Sequence, residues 1–112
     1  LAAALDAFQN DLEAMGKADQ VLTMTFSEFG RRVRENGSGG TDHGTAEPLF
    51  ILGTRVRGGI HGRQPPLDDL DGGDLRFQVD FRAVYATLLD RWLGADPVPV
   101  LGRSYELLEC VT

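Results

Sequence analysis

The chain has 112 residues, 42% of them hydrophobic and 25% charged, which suits one globular domain. A net charge of −6 and a pI of about 4.7 argue against general nucleic-acid binding, which needs a basic footprint. No apolar run approaches the ~18 residues of a membrane span, and the lone cysteine, Cys110, excludes an intrachain disulfide.

Residues 1–15 place Leu1, Leu5, Phe8, Leu12 and Met15 at spacings of four and three. That spacing predicts one apolar face of an amphipathic helix, with Gly16 as its left-handed stop. The chain opens inside this pattern and without a Met, so we expect a piece of a longer protein. No signal peptide is visible. "VLTMTF" (21–26) is uncharged and rich in β-branched and large apolar residues. It predicts a short strand buried on both faces, as in a parallel sheet.

Residues 27–47 carry Gly30, Gly37, Gly39, Gly40 and Gly44, and "ENGSGGTDHG" reads as loop. "PLFILG" (48–53) predicts a second buried strand, with Pro48 tolerated at its first position. "RVRGGI" (55–60) suits a short edge strand, and 61–79 a long polar connection. Residues 80–93 give the clearest helix, through Phe81, Val84, Tyr85, Leu88, Leu89 and Trp92. Asp80 is its expected N-cap and Gly94 its C-terminal stop. Its aromatic residues are expected in the core. The tail from Pro97 is expected to end as a strand or an extended lid. The order helix, strand, loop, strand, loop, helix suggests an α/β layer, where ligands collect beyond the carboxyl ends of strands.

Glu28 directly follows the first strand, and Asp42 and His43 sit on the glycine-rich stretch before the second. Carboxylate and imidazole donors suit Zn, Mn or Fe, and Gly40 and Gly44 free the backbone around the pair. Read blandly, Asp42 caps a turn and His43 is a solvated loop residue. Arg31 and Arg32 could hold an oxyanion or pair with Glu35 or Glu47. "GSGGTDHG" could form an anion nest or a flexible loop, but it lacks the Gly-Lys-Ser/Thr of a P-loop. His61 lies beyond the second strand, on the far edge. Asp68, Asp69, Asp71 and Asp74 lack calcium-loop spacing, and no His with a supporting acid is positioned for a Ser-His-Asp triad.

Together, "TFSEFGRRVREN", "GGTDHG", "PLFILG", "VRGGIHG" and "DFRAVYATLLDRWLG" resemble the C-terminal part of a bacterial family, domain of unknown function 1501. That family is sulfatase-like and belongs to the alkaline-phosphatase superfamily. The resemblance spans nearly all of residues 20–95. It implies that residues 1–112 are a single partial domain, the C-terminal fragment of an α/β/α sandwich. It also implies a metal-dependent phosphate- or sulfate-ester hydrolase, inactive as this fragment alone, with a divalent metal, Zn or else Mn or Fe. By order along the chain Glu28 resembles the carboxylate of one ligand station and His43 the ligand of the next, with Asp42 as partner to His43. A competing alignment puts Asp42 and His43 themselves at the first station. Arg31 would clamp the oxyanion. The first station normally carries His after its carboxylate, and Phe29 stands there instead. The alternatives are a non-catalytic exported structural or carbohydrate-handling relative and a plain interaction module. Partners expected are an ester substrate, no nucleic acid and no membrane span, with self-association through strand edges. The resemblance implies a periplasmic or envelope location.

Overall fold

A computed structural model describes residues 1–112. Helix α1 runs Ala2–Ala14, as its apolar spacing predicts, and the chain leaves it through Gly16 at φ 65°. A short 3-10 turn, Ala18–Gln20, leads into strand β1, Thr23–Met24. Strands β2, Gly30–Glu35, and β3, Thr41–Gly44, follow, then β4, Ile51–Leu52. Strands β5, Leu70–Asp71, and β6, Asp74–Leu75, precede helix α2, Phe81–Thr87, which continues as a π turn over Leu88–Trp92. Helix α3, Val98–Leu101, opens the tail. The chain thus combines helices and strands, consistent with an α/β fold, and its strands form three two-stranded sheets, β1–β4, β2–β3 and β5–β6.

The two strands predicted as buried are half-buried and short, and they lie antiparallel to each other, Thr23 opposite Leu52 and Met24 opposite Ile51. A parallel pair needs a crossover, usually helical. Here the intervening chain is a hairpin that reverses direction, so β4 returns against β1. The stretch read as loop is therefore strand on both sides of a short turn. Asn36 builds that turn: its Oδ1 accepts from the N–H groups of Ser38 (2.9 Å) and Gly40 (3.1 Å).

The polar connection 61–79 also contains a hairpin. Gly72 and Gly73 have φ of 58° and 96°, the left-handed geometry of a tight two-residue turn, and Asp71 pairs with Asp74 across it. Three of the four aspartates are paired. Arg76 holds Asp69 at 3.1 Å and Asp71 at 3.6 Å, and Arg32 reaches Asp74 at 3.3 Å. That last pair ties β2 to β6.

Residues 55–57 pair with the tail, as a single bridge, Val56 to Val111, flanked by hydrogen bonds from Arg57 N to Cys110 O and Thr112 N to Arg55 O (2.9 Å each). The expected edge strand and the expected terminal strand are thus each other's partner. The tail lies on α2. Ala86, Thr87 and Val111 are fully buried, and Ala83, Val84 and Cys110 nearly so. Burial pushes the Cys110 thiol up from its ordinary pKa. The aromatic residues read as core are elsewhere: Phe81 is 58% exposed, and Tyr85 and Trp92 are half-buried. The small side chains, not the rings, let the tail approach the helix.

Asp80 caps α2 as predicted, accepting from the Arg82 backbone N–H at 2.9 Å. Its carboxylate also accepts from Arg82 Nε (2.9 Å) and Nη2 (2.7 Å). The side-chain bonds from Arg82, then its backbone N–H, hold this carboxyl below its ordinary pKa. A depressed folded-state value gives stability that is present above the unfolded value, about 3.9, and is lost as pH falls through the folded one. We expect the thermal midpoint to drop on acidification below that point, and to drop less in Asp80→Asn, which keeps a cap but no charge. Asp80→Ala, which removes the cap as well, is expected to lose about 1 kcal/mol by urea denaturation at neutral pH.

Nine of 112 residues are buried, and the chain exposes 7875 Å². A compact monomer of 12.2 kDa would expose about 6,100 Å². The Cα radius of gyration is 16.4 Å, against about 13 Å for a compact domain of this length. The excess is partly the predicted apolar stripe of α1. Leu12 is buried, but Leu1, Phe8 and Met15 are 78%, 47% and 62% exposed.

Candidate functional site

The sequence-predicted site residues all fall on one structural unit, the β2–β3 hairpin and the bend leading into it. Gly30 faces Gly44 and Arg31 faces His43; the register then shifts, so that residues 32–34 lie opposite Asp42 alone. The shift is a bulge, which frees β2 from strict pairing where its arginines cluster.

Two glycines make the tight end of this hairpin. A Cβ on Gly30 would fall on the Ala46 carbonyl, well inside van der Waals contact. A Cβ on Gly44 would sit 2.8 Å from the Arg31 carbonyl carbon and 2.9 Å from the Arg32 nitrogen. Neither requirement concerns φ; both are close approaches of backbone to backbone.

Beside this pair the Phe29 and His43 rings stack, centroids 3.5 Å apart and planes 11° from parallel. Directly opposed residues on an antiparallel pair share a face, so the Arg31 side chain stands next to the imidazole. Its guanidinium lies 5.4 Å from the Phe29 centroid, and Arg31 Nη1 donates to Thr41 O at 2.9 Å. One end of the guanidinium is thereby anchored and the remaining donors stay available. Imidazole lone pairs lie in the ring plane, so a phenyl ring covering one face fixes the plane without blocking either nitrogen.

Glu28 is exposed at the bend before Phe29. The bend is held from both sides: Ser27 N donates to Glu47 Oε1 (3.1 Å), and Ser27 Oγ to Phe29 O (3.0 Å). Asp42 Oδ1 accepts from Asn36 Nδ2 at 3.0 Å. Successive strand residues point to opposite faces, so Asp42 and His43 diverge along β3. No three His, Cys, Asp or Glu side chains converge as an ion-holding group. A tetrahedral metal site takes three or four protein ligands, so His43 with Glu28 would be a part-set needing further donors.

Arg32 is not beside Arg31's site; it turns to Asp74. Glu47, weighed as its partner, instead holds Ser27. His61 lies outside the hairpin, its Nε2 2.8 Å from Arg57 O. Sequence reasoning missed Phe29 as part of the site. The signal was available: in "FGR" against "DHG", Phe29 and Arg31 are two apart, the period that puts residues on one strand face.

No curated protein and no solved structure matches the chain. One family profile does, described as "Protein of unknown function (DUF1501)", and it covers residues 1–106. The match takes in all three α-helices and all six strands, and on that extent the chain belongs to the DUF1501 family.

Proposed function

We propose that this chain forms part of a metal-dependent hydrolase of phosphate or sulfate esters, related to the sulfatase-like members of the alkaline-phosphatase superfamily and sharing their α/β/α sandwich. The observation that carries the reading is the opposition of Arg31 and His43 on an exposed hairpin, with the imidazole plane fixed by Phe29. A divalent ion, Zn or else Mn or Fe, would supply Lewis-acid polarisation of the ester oxygen. His43 would offer one in-plane nitrogen to that ion and Glu28 a carboxylate from the bend, with Asp42 as partner on the hairpin. Arg31, anchored on the Thr41 carbonyl, would present its free donors to the oxyanion. Phe29 occupies the position where the superfamily's first station carries His, so its part is to hold a ligand, not to be one. The complete site needs donors and a nucleophile from outside these residues, so the chain alone would be inactive. The same resemblance makes the periplasm or envelope the expected compartment, and the open strand edges favour self-association.

Metal analysis of the complete parent protein tests this. His43→Ala is expected to lower metal affinity at least about tenfold, the size of loss that follows removal of even a ligand's supporting partner. Unchanged stoichiometry and affinity would remove His43 from the site and leave an interaction module. Metal bound normally, with no turnover of aryl phosphates or aryl sulfates, would favour the non-catalytic relative.

A further inference from the structure

Arg31 and Arg32 are consecutive on β2, and only one of them can stand beside His43. Successive strand residues point to opposite faces, so a slip of one residue would exchange the two arginines. Gly30 opposite Gly44 fixes the register at the start of the hairpin. The bulge begins immediately after Arg31, and pairing resumes only at Glu35 with Thr41. Between those points the ladder leaves the facing of Arg32 open.

An ion pair on the other side of the strand closes that freedom. Arg32 meets Asp74 side-on: Nε lies 3.3 Å from Oδ1, and Nη2 donates to Oδ2 at 3.4 Å. The two side chains are 41% and 19% exposed. Asp74 Oδ1 is shut off from solvent and accepts no hydrogen bond, so the Arg32 charge is what offsets its burial. A pair of this kind adds little net stability, but removing one partner strands the other charge. Arg32 therefore cannot swing to the His43 face without leaving that oxygen uncompensated. The β5–β6 turn is shaped for this partner. At Gly73, φ 96°, a Cβ would stand only 3.3 Å from Arg32 Nη1. Thr45 Oγ1 donates to Leu75 O at 2.9 Å and joins the two hairpins a second time, just beyond β3.

We propose that Asp74 is a positioning residue for the Arg31–His43 site. By holding Arg32 on the far face of β2, it selects Arg31 as the arginine that faces the imidazole. The use of Arg31 on an ester oxyanion rests on the hydrolase function proposed above; its placement by Asp74 does not.

The complete parent protein carries the test, with inorganic phosphate as the probe. Asp74→Ala and Arg32→Ala are each expected to weaken phosphate binding about ten- to a hundredfold, the range that follows loss of a supporting partner or misplacement of a site group. Metal content should stay unchanged, because the Phe29–His43 stack lies outside the broken pair. The two substitutions together should cost no more than either alone, since both break one interaction. Cross-strand nuclear Overhauser contacts between residues 31 and 43 should weaken in each variant. Asp74→Asn keeps the side chain's shape and removes its charge; it should weaken phosphate binding in the same direction, which preserves the test if an alanine variant fails to fold. Unchanged phosphate affinity and unchanged 31–43 contacts in Asp74→Ala and Asp74→Asn overturn the positioning role. So do additive losses in the double variant, or loss of metal together with phosphate, which would mean collapse of the site and not displacement of Arg31. Weakened 31–43 contacts, with Arg31→Ala silent towards phosphate, would uphold the positioning and remove Arg31 as the oxyanion clamp.

Discussion

Gly30→Val is expected to destabilise the protein by about 3 kcal/mol, at the upper end of overpacking penalties, and to abolish the nuclear Overhauser contacts between Phe29 and His43. Two effects compete at this position. Valine is among the better strand residues and glycine among the poorer, a difference within the ~1 kcal/mol span of strand propensities. Against it stands a Cβ that would land on the Ala46 carbonyl. That neighbour is backbone, which cannot rotate away as a flexible side chain could. The residue is also buried and sits opposite Gly44, whose own Cβ position is blocked by Arg31 and Arg32. The collision therefore wins, and the segment 45–47 must move off β2. Because Glu47 holds Ser27 N, that movement also loosens the bend that carries Glu28. A denaturant midpoint that is unchanged or raised in Gly30→Val would show that residues 30 and 46 are not in close approach.

Thr87→Val is expected to lose about 2 kcal/mol, though the two side chains have the same shape. Thr87 is fully buried, and its hydroxyl works in both directions. It donates to Ala83 O at 2.7 Å and accepts from Leu108 N at 2.8 Å. Valine leaves the Leu108 N–H without its acceptor, and stranding a buried donor costs about 1–3 kcal/mol. No cavity is made, so the loss isolates the hydrogen bond. Thr87→Ser makes the opposite cut: it keeps the hydroxyl and deletes a methyl, for about 1 kcal/mol. Urea denaturation of the two variants decides the matter. If serine is the more damaging, packing and not hydrogen bonding secures the tail to α2.

Much of the helix content was legible because its signals are local. The spacing in residues 1–15, the Asp80 cap and the Gly16 and Gly94 stops depend on near neighbours, and α1 and α2 lie where those signals put them. The π turn over Leu88–Trp92 left no such mark. The hairpins were obscured for two reasons. In β2 four of the six strand residues are glycine or arginine, whose composition reads as loop, and the pairing is supported by Asn36 and by two glycines that permit close contact. In β5–β6 the Gly72–Gly73 pair is itself a hairpin signal, hidden by the aspartates around it. β1 and β4 were foreseen as two apolar strands, but neither their pairing nor its antiparallel direction was, because both are decided by what lies between them. For the site, residue types and order pointed to Glu28, Arg31, Asp42 and His43. That Arg31 opposes His43, and that Phe29 covers it, depends on register, which a single sequence leaves open once a bulge intervenes.

The seam that joins α2, residues 55–57 and the tail also has a kinetic consequence. Hairpins β2–β3 and β5–β6 close over few residues and should form within about 1–10 μs. The seam joins Thr87 to Leu108 and Arg55 to Thr112, separations of 21 and 57 residues, so loop-closure entropy places it last. Cys110 is sealed inside it, and a buried thiol is inert towards reagents. Its alkylation rate is therefore a clock for how often the seam opens, independent of either hairpin.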